Sequence, residues 1–340
     1  MAHAPRNMGL SAGARNRRSV DVKARIVQSG NFEYTSHNEE VTPGGGGRPM
    51  LIEGMIHQKN VSIDVMDGYN KNVNSTINHH SIYHLYEYEA QTNFLDSLIP
   101  SLFGFYEIQT RFLCCRYVIC DIDDWMGRRK SIELLAIRKN GDIYIGSNKN
   151  LDGRIDTEEN NAAAFGGLNF AKKVTKEVFP SNFHKHHSVV KHWCLENHRF
   201  HRKMNVFISS VARAFDSSGD VVELKTVSSN SMGKVQNLSR TKARMWWLRA
   251  LLSGANRIVY GLRMDNLIVN EILEASIDEF TKGHFRFSEA DLFSEVFKIF
   301  EKIDRTLIDE GSMCLINLEK FEPMKVTLAT SESIRRSPFW

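Results

Sequence analysis

What is missing from this chain narrows its class before anything it contains. No apolar run approaches the ~20 residues of a membrane-spanning helix, and no signal-peptide core follows the N-terminus. Cysteine is sparse: Cys114, Cys115, Cys120, Cys194 and Cys314 are five, an odd number without paired spacing. That pattern argues against a disulfide framework and for a reducing, intracellular setting. The Asn-x-Ser/Thr sequons at Asn60, Asn74 and Asn237 carry no meaning without secretion. Net charge is only +4, from 44 basic against 40 acidic side chains, so the bias is mild for a nucleic-acid binder. There is no internal repeat. There is no phosphate loop either, because Gly44-Gly45-Gly46-Gly47 leads into Arg48-Pro49 rather than into Lys-Ser/Thr and a helix.

What is present is enough for a sizeable core. Of 340 residues, 42% are hydrophobic and 25% charged, the balance of a globular protein. Residues 1–24, with Arg6, Arg15, Arg17, Arg18 and Lys23 against Asp21, read as a disordered basic tail. Residues 25–330 read as a single domain and 331–340 as a C-terminal tail. Apolar spacing predicts helices over Tyr83–Ile99, Ala162–Val178, 239–253 (Ser239 as cap, Gly254 as stop) and Ser288–Leu307. Strands are expected at Phe112–Cys120, Ile132–Arg138, Ile143–Ile145, Asn205–Arg213, Val221–Val227, Arg257–Arg263, Leu267–Glu274, Met313–Leu318 and Lys325–Ala329. Loops are expected around Ser147–Asn161 and Ser181–His192. The interleaving predicts a mixed α/β fold, a mixed β-sheet core flanked by helices.

The chemistry centres on Glu223-Leu224-Lys225. On a strand, positions two apart share a face, so an acid and an ammonium sit side by side. A metal-dependent phosphodiesterase uses that pairing, although any half-exposed strand can carry it. Downstream lie Lys242-Ala243-Arg244-Met245-Trp246-Trp247-Leu248-Arg249 and a strand ending Gly261-Leu262-Arg263. In order and spacing, these segments resemble the Rai/DXO family of RNA 5′-end decapping nucleases. The resemblance spans residues 25 to 330 or so and is specific in the central third. Asp67-Gly68-Tyr69, Gln109-Thr110-Arg111 and Gly141-Asp142-Ile143-Tyr144-Ile145 are similar to upstream family segments.

The resemblance implies a PD-(D/E)xK-nuclease-like fold and a site using Mg or Mn. Glu223 and Lys225 match the family's Glu-x-Lys motif, Arg111 matches its substrate arginine, and Arg249 stands where the family has glutamine. Other expected acids fall on Ala171, Ser210 and Ala212. Three of four metal-site acids are thus absent, and one carboxylate beside a lysine is a poor seat for two divalent ions. Lys242, Arg244, Arg249 and Arg263, with Arg111 and Lys225, form a basic set suited to phosphate. The expectation is an RNA 5′-end-binding protein with vestigial catalytic residues. By the same resemblance it is nuclear, with the cytoplasm as a second location, acts in RNA quality control or on piRNA precursors, and has a 5′-3′ exoribonuclease or other RNA-processing or chromatin proteins as partners. A divergent, metal-dependent hydrolase of NAD-capped, unmethylated-cap or 5′-triphosphate RNA is the alternative.

Several weaker constellations favour plain readings. Asp216 would complete an Asp216, Glu223, Lys225 triad as a metal ligand, yet Asp216-Ser217-Ser218-Gly219-Asp220 has the composition of a turn. Asp121, Asp123 and Asp124, followed by Gly127-Arg128-Arg129-Lys130, read as an exposed charged hairpin. His184, His186, His187, His192, His198 and His201 near Cys194 lack a Cys-x-x-Cys, and a basic connection is favoured over zinc. Trp246 and Trp247 are read as core.

Overall fold

A computed structural model describes residues 22–35, 40–43, 47–69, 110–147, 158–176, 185–228, 235–264, 267–282 and 284–329. The helix expected at 83–99, both terminal tails up to 21 and from 330, Gly44–Gly46 and residues 148–157 lie outside them. In chain order the elements are β1 (Val22–Thr35), β2 (Glu40–Pro43), β3 (Met50–Leu51), β4 (Lys59–Asp64), β5 (Arg111–Cys115) and α1 (Arg116–Met126). Then come β6 (Ile132–Lys139), β7 (Asp142–Ser147), α2 (Glu158–Val174), β8 (Thr175–Lys176), β9 (Lys185–Asn197), β10 (Arg202–Val211) and β11 (Val222–Ser228). The chain continues with α3 (Arg240–Ser253), β12 (Arg257–Arg263), β13 (Ile268–Ser276), α4 (Asp278–Lys282), α5 (Glu289–Thr306), β14 (Met313–Leu318) and β15 (Lys325–Leu328).

Nine strands form one sheet in the order β15-β14-β6-β7-β5-β10-β9-β1-β2, with parallel pairing only at β10–β5 and β5–β7. Four more form β11-β12-β13-β4, parallel at β11–β12. This is the mixed α/β architecture, mixed sheets flanked by helices, that the sequence predicts. Helix α3 is wedged between the sheets, touching β9 and β10 on one side and β11 and β12 on the other. A helix buried on several sides needs apolar residues all round. Accordingly Ala243, Trp246, Trp247, Leu248, Ala250, Leu251 and Leu252 are all buried. Trp246 packs on Tyr260 at 5.6 Å and Trp247 on Phe287 at 5.5 Å, so both tryptophans are core. Ser239 caps the helix by accepting from the Lys242 amide, and Gly254 closes it at φ 70°.

Helix α2 covers the other face of the four-stranded sheet. Phe170, Ala171 and Val174 cluster there with Val222, Leu224, Val259 and Ile272. Gly261 is required at that contact, since a Cβ would lie 2.7 Å from Phe170 and 2.9 Å from Val269.

Five expectations are corrected. The strand expected over Phe112–Cys120 stops at Cys115, and residues 116–126 are helical. Val118, Ile119 and Ile122 recur at helical spacing and are buried, which outweighs the strand-like start. The exposed hairpin is therefore absent: Asp121 and Asp123 are 3% and 4% exposed on that helix. The loop over 181–192, with its histidines, is largely strand β9, whose alternate residues Val189, Trp193 and Leu195 enter the core. Helix α2 begins at Glu158, inside the expected loop, and ends at Val174, four residues before Val178. Val22, Lys23 and Ala24, assigned to the tail, open β1.

Candidate functional site

Strand β11 presents Glu223 and Lys225 on one face and Val222 and Leu224 on the other. Lys225 lies opposite Tyr260 in the parallel register, and Tyr260 packs on Trp246, so the charged face looks toward α3. From the junction of β5 and α1 comes a third participant, Arg116. Its Nη1 donates to Glu223 Oε2 at 3.3 Å and to the Arg249 carbonyl at 3.5 Å. Lys225 Nζ donates to the other carboxylate oxygen, Oε1. Both oxygens of Glu223 are thus engaged by cations.

Burial is deep: Glu223 is 7% exposed. Burial by itself would raise the Glu223 carboxyl, but Lys225, Arg116 and Arg249 together hold it down at about 2. The Lys225 ammonium is pushed down to about 8 by burial, against the pull of Glu223 and with the repulsion of Arg249 and Arg116. Three cations surround one carboxylate, so the pocket is electropositive.

The other expected residues divide. Arg249, on α3, belongs to this pocket through space. Arg111 does not. It begins β5, five positions from Arg116 and so ~16 Å along a strand, where its Nε donates to Asp142 Oδ1 at 2.8 Å. Arg244 is likewise spent, its Nη2 bonded to Asp123 Oδ1 at 2.7 Å and its guanidinium stacked 4.5 Å from Trp247. Arg263 ends β12 at a register shift after Leu262 and lies close enough to Lys242 to depress that ammonium, burial being the larger cause.

Ala171 packs among residues that alternate with Glu223 and Lys225 along β11, on the α2 side. Ser210 and Ala212 lie on β10 and just beyond it, 1% and 3% exposed, and the Ser210 hydroxyl has no hydrogen-bond partner among the described residues. Asp216 sits in a turn, its Oδ1 accepting from the amides of Ser218 and Asp220 and its Oδ2 3.7 Å from Arg257. Turn chemistry accounts for it. Among the histidines, His192 stacks on Phe207 at 4.4 Å and bonds Asn205, while His184 lies outside the described residues. All five cysteines are free thiols.

Among the described residues, no group of three or more His, Cys, Asp or Glu side chains is placed to hold a metal ion. With both oxygens of Glu223 ion-paired, the described residues do not fit a divalent-cation pair. No helix among them is long and apolar enough to cross a membrane. Arg116 is the residue that sequence reasoning missed. It lay inside a stretch expected to be strand, and its only local signal was the helical spacing of Val118, Ile119 and Ile122 just after it.

A family model described as RAI1-like PD-(D/E)XK nuclease matches residues 56–339. Among solved structures, Candida albicans Rai1 in complex with pU5 and Mn2+ superposes with a TM-score of 0.63 at 14% identity, covering 92% of each chain. S. pombe Rai1 gives 0.61 at 13% identity, over 92% of this chain and 96% of that one. K. lactis Dxo1 in complex with manganese gives 0.57 at 13%, over 92% of each. Identities this low establish a shared fold. No curated protein matches the sequence.

Proposed function

The chain belongs to the RAI1-like PD-(D/E)XK nuclease family, and from that premise we propose that it binds RNA 5′ ends without cleaving them. The observation that carries this reading is the state of Glu223. Among the described residues it joins no group of three or more His, Cys, Asp or Glu placed to hold a metal ion, and Lys225 and Arg116 engage both of its oxygens. Ala171, Ser210 and Ala212, at positions where the family resemblance leads one to expect acids, supply no negative charge. A 5′-phosphate brings the anionic oxygens that Lys225, Arg116 and Arg249 are arranged to receive, in a site where low dielectric strengthens each contact.

Support for RNA as the ligand comes from relatives. Rai1 of C. albicans was crystallised with pU5, and S. pombe Rai1 with 3′-FADP. By extension we place this protein in the nucleus, holding transcripts, piRNA precursors among them, away from end processing or within RNA quality control. Its protein partners in that role are a 5′-3′ exoribonuclease or other RNA-processing or chromatin factors.

A second reading, metal-dependent decapping, is favoured by one fact: Glu223 keeps its negative charge far below neutral pH. Purified protein is incubated with 5′-triphosphate, methyl-capped and NAD-capped RNA in Mg2+ or Mn2+, beside Glu223→Ala. The proposal expects no turnover and salt-sensitive RNA binding. Turnover that the substitution abolishes would overturn it.

A further inference from the structure

Helix α3 joins the Glu223 pocket to a second basic locus at its other end. Arg249 lies at the pocket; Lys242, seven residues earlier, is ~10 Å away along the axis. Lys242 is in the first turn, where the amide ends add partial positive charge. Beside it stands Arg263. The register shift between Leu262 and Arg263 breaks the strand's alternation, and such a bulge can re-aim a side chain.

Arg263 Nε is buried and finds no hydrogen-bond partner among the described residues. Buried donors are ordinarily satisfied, and an unpaired one is costly unless a ligand completes it. Burial lowers the Arg263 guanidinium, and no carboxylate among the described residues offsets it. Lys242, too, makes no ion pair with an acid among the described residues. Met245 and Met264, 42% and 44% exposed, add accessible apolar surface on the same helix and just past the same strand end. Two cations with no acid partner among the described residues, ~10 Å along one helix from a 5′-phosphate pocket, suit the backbone of a single strand, and exposed thioethers suit its bases.

We propose that Lys242 and Arg263 form a second anion subsite that holds a phosphodiester of single-stranded RNA downstream of its 5′ end. The placing of that 5′ end rests on the reading of the Glu223 pocket given above. The ligand is thus a single-stranded 5′ end several nucleotides long rather than an isolated terminal nucleotide.

The test compares uridine 5′-monophosphate with a 5′-phosphorylated oligouridylate and its 5′-hydroxyl counterpart. Wild type, Lys242→Gln/Arg263→Gln, and Arg263→Lys are measured at several salt concentrations, with thermal unfolding as a folding check. The double variant is expected to lose about tenfold in oligonucleotide affinity and about 0.7 in its log–log salt slope. Its affinity for the mononucleotide stays unchanged, and Arg263→Lys recovers most of the oligonucleotide binding. Equal loss for both ligands, or no loss for the oligonucleotide, overturns the subsite, as does a wild type that binds no single-stranded RNA. The pocket reading fails separately, if wild type binds the 5′-phosphate and 5′-hydroxyl strands equally well; loss in the double variant would then still uphold the subsite.

Discussion

Lys225 is the residue whose chemistry is most open to measurement. Its ammonium titrates at about 8 rather than at the usual lysine value. Anion affinity needs the charged form, so it is held below about pH 8 and lost as pH rises through that value. Between pH 7 and pH 9 the charged fraction falls from about nine-tenths to about one-tenth. Titrating 5′-phosphorylated RNA binding over that range is expected to show the loss in wild type and a flat, weaker profile in Lys225→Gln. A wild-type profile as flat as the variant's would remove Lys225 from the phosphate site. Asp123 offers the contrast of a purely structural charge. It bonds both Arg129 Nη2 at 2.6 Å and Arg244 Nη2 at 2.7 Å while almost fully buried. Asp123→Ala leaves the Arg244 guanidinium without its acid and Arg129 with Asp124 alone, and is expected to cost about 3 kcal/mol in urea unfolding. Asp124→Ala, at a carboxylate one-third exposed, should cost no more than about 1 kcal/mol. Equal losses would mean that the buried network is not what fastens α1 to α3.

Among the elements, legibility followed the clarity of the period. Helix α5 could be read from Leu292, Phe293, Val296, Phe297, Phe300 and Ile303, and its observed cap is Ser288. Strands β12 and β14 were read to the residue. Strand β9 was not, because Lys191 interrupts the alternation of Val189, Trp193 and Leu195, and Ser188 and His192 on the other face are polar although buried. Helix α1 was hidden by the four apolar residues of β5 running directly into it. The site divided the same way. Glu223, Lys225 and Arg249 are carried by local motifs, whereas Arg116 reaches Glu223 from the end of a strand in the other sheet, a pairing that only tertiary structure reveals. Gly261 shows how tightly the elements meet. Gly261→Ala would drive a methyl group into Phe170 and Val269 and is expected to destabilise by about 1–3 kcal/mol. A neutral result in equilibrium unfolding would show that α2 can move off the four-stranded sheet at no cost.

At the scale of the whole molecule, two sheets clasp α3, and that arrangement gathers Glu223 and Lys225 from one sheet, Arg116 from the end of the other, and Arg249 from the helix between them. The family fold is kept, while the charge at its centre is cationic. If the pocket is built for an anion, Glu223 is an internal competitor for the ligand. If it is built for a metal, Glu223 is indispensable. The decisive measurement is the affinity of wild type and Glu223→Gln for 5′-phosphorylated RNA, once in EDTA and once in Mn2+. Tighter binding by the variant, with no dependence on Mn2+, is the expected result. Weaker binding by the variant, together with wild-type binding that requires Mn2+, would contradict it.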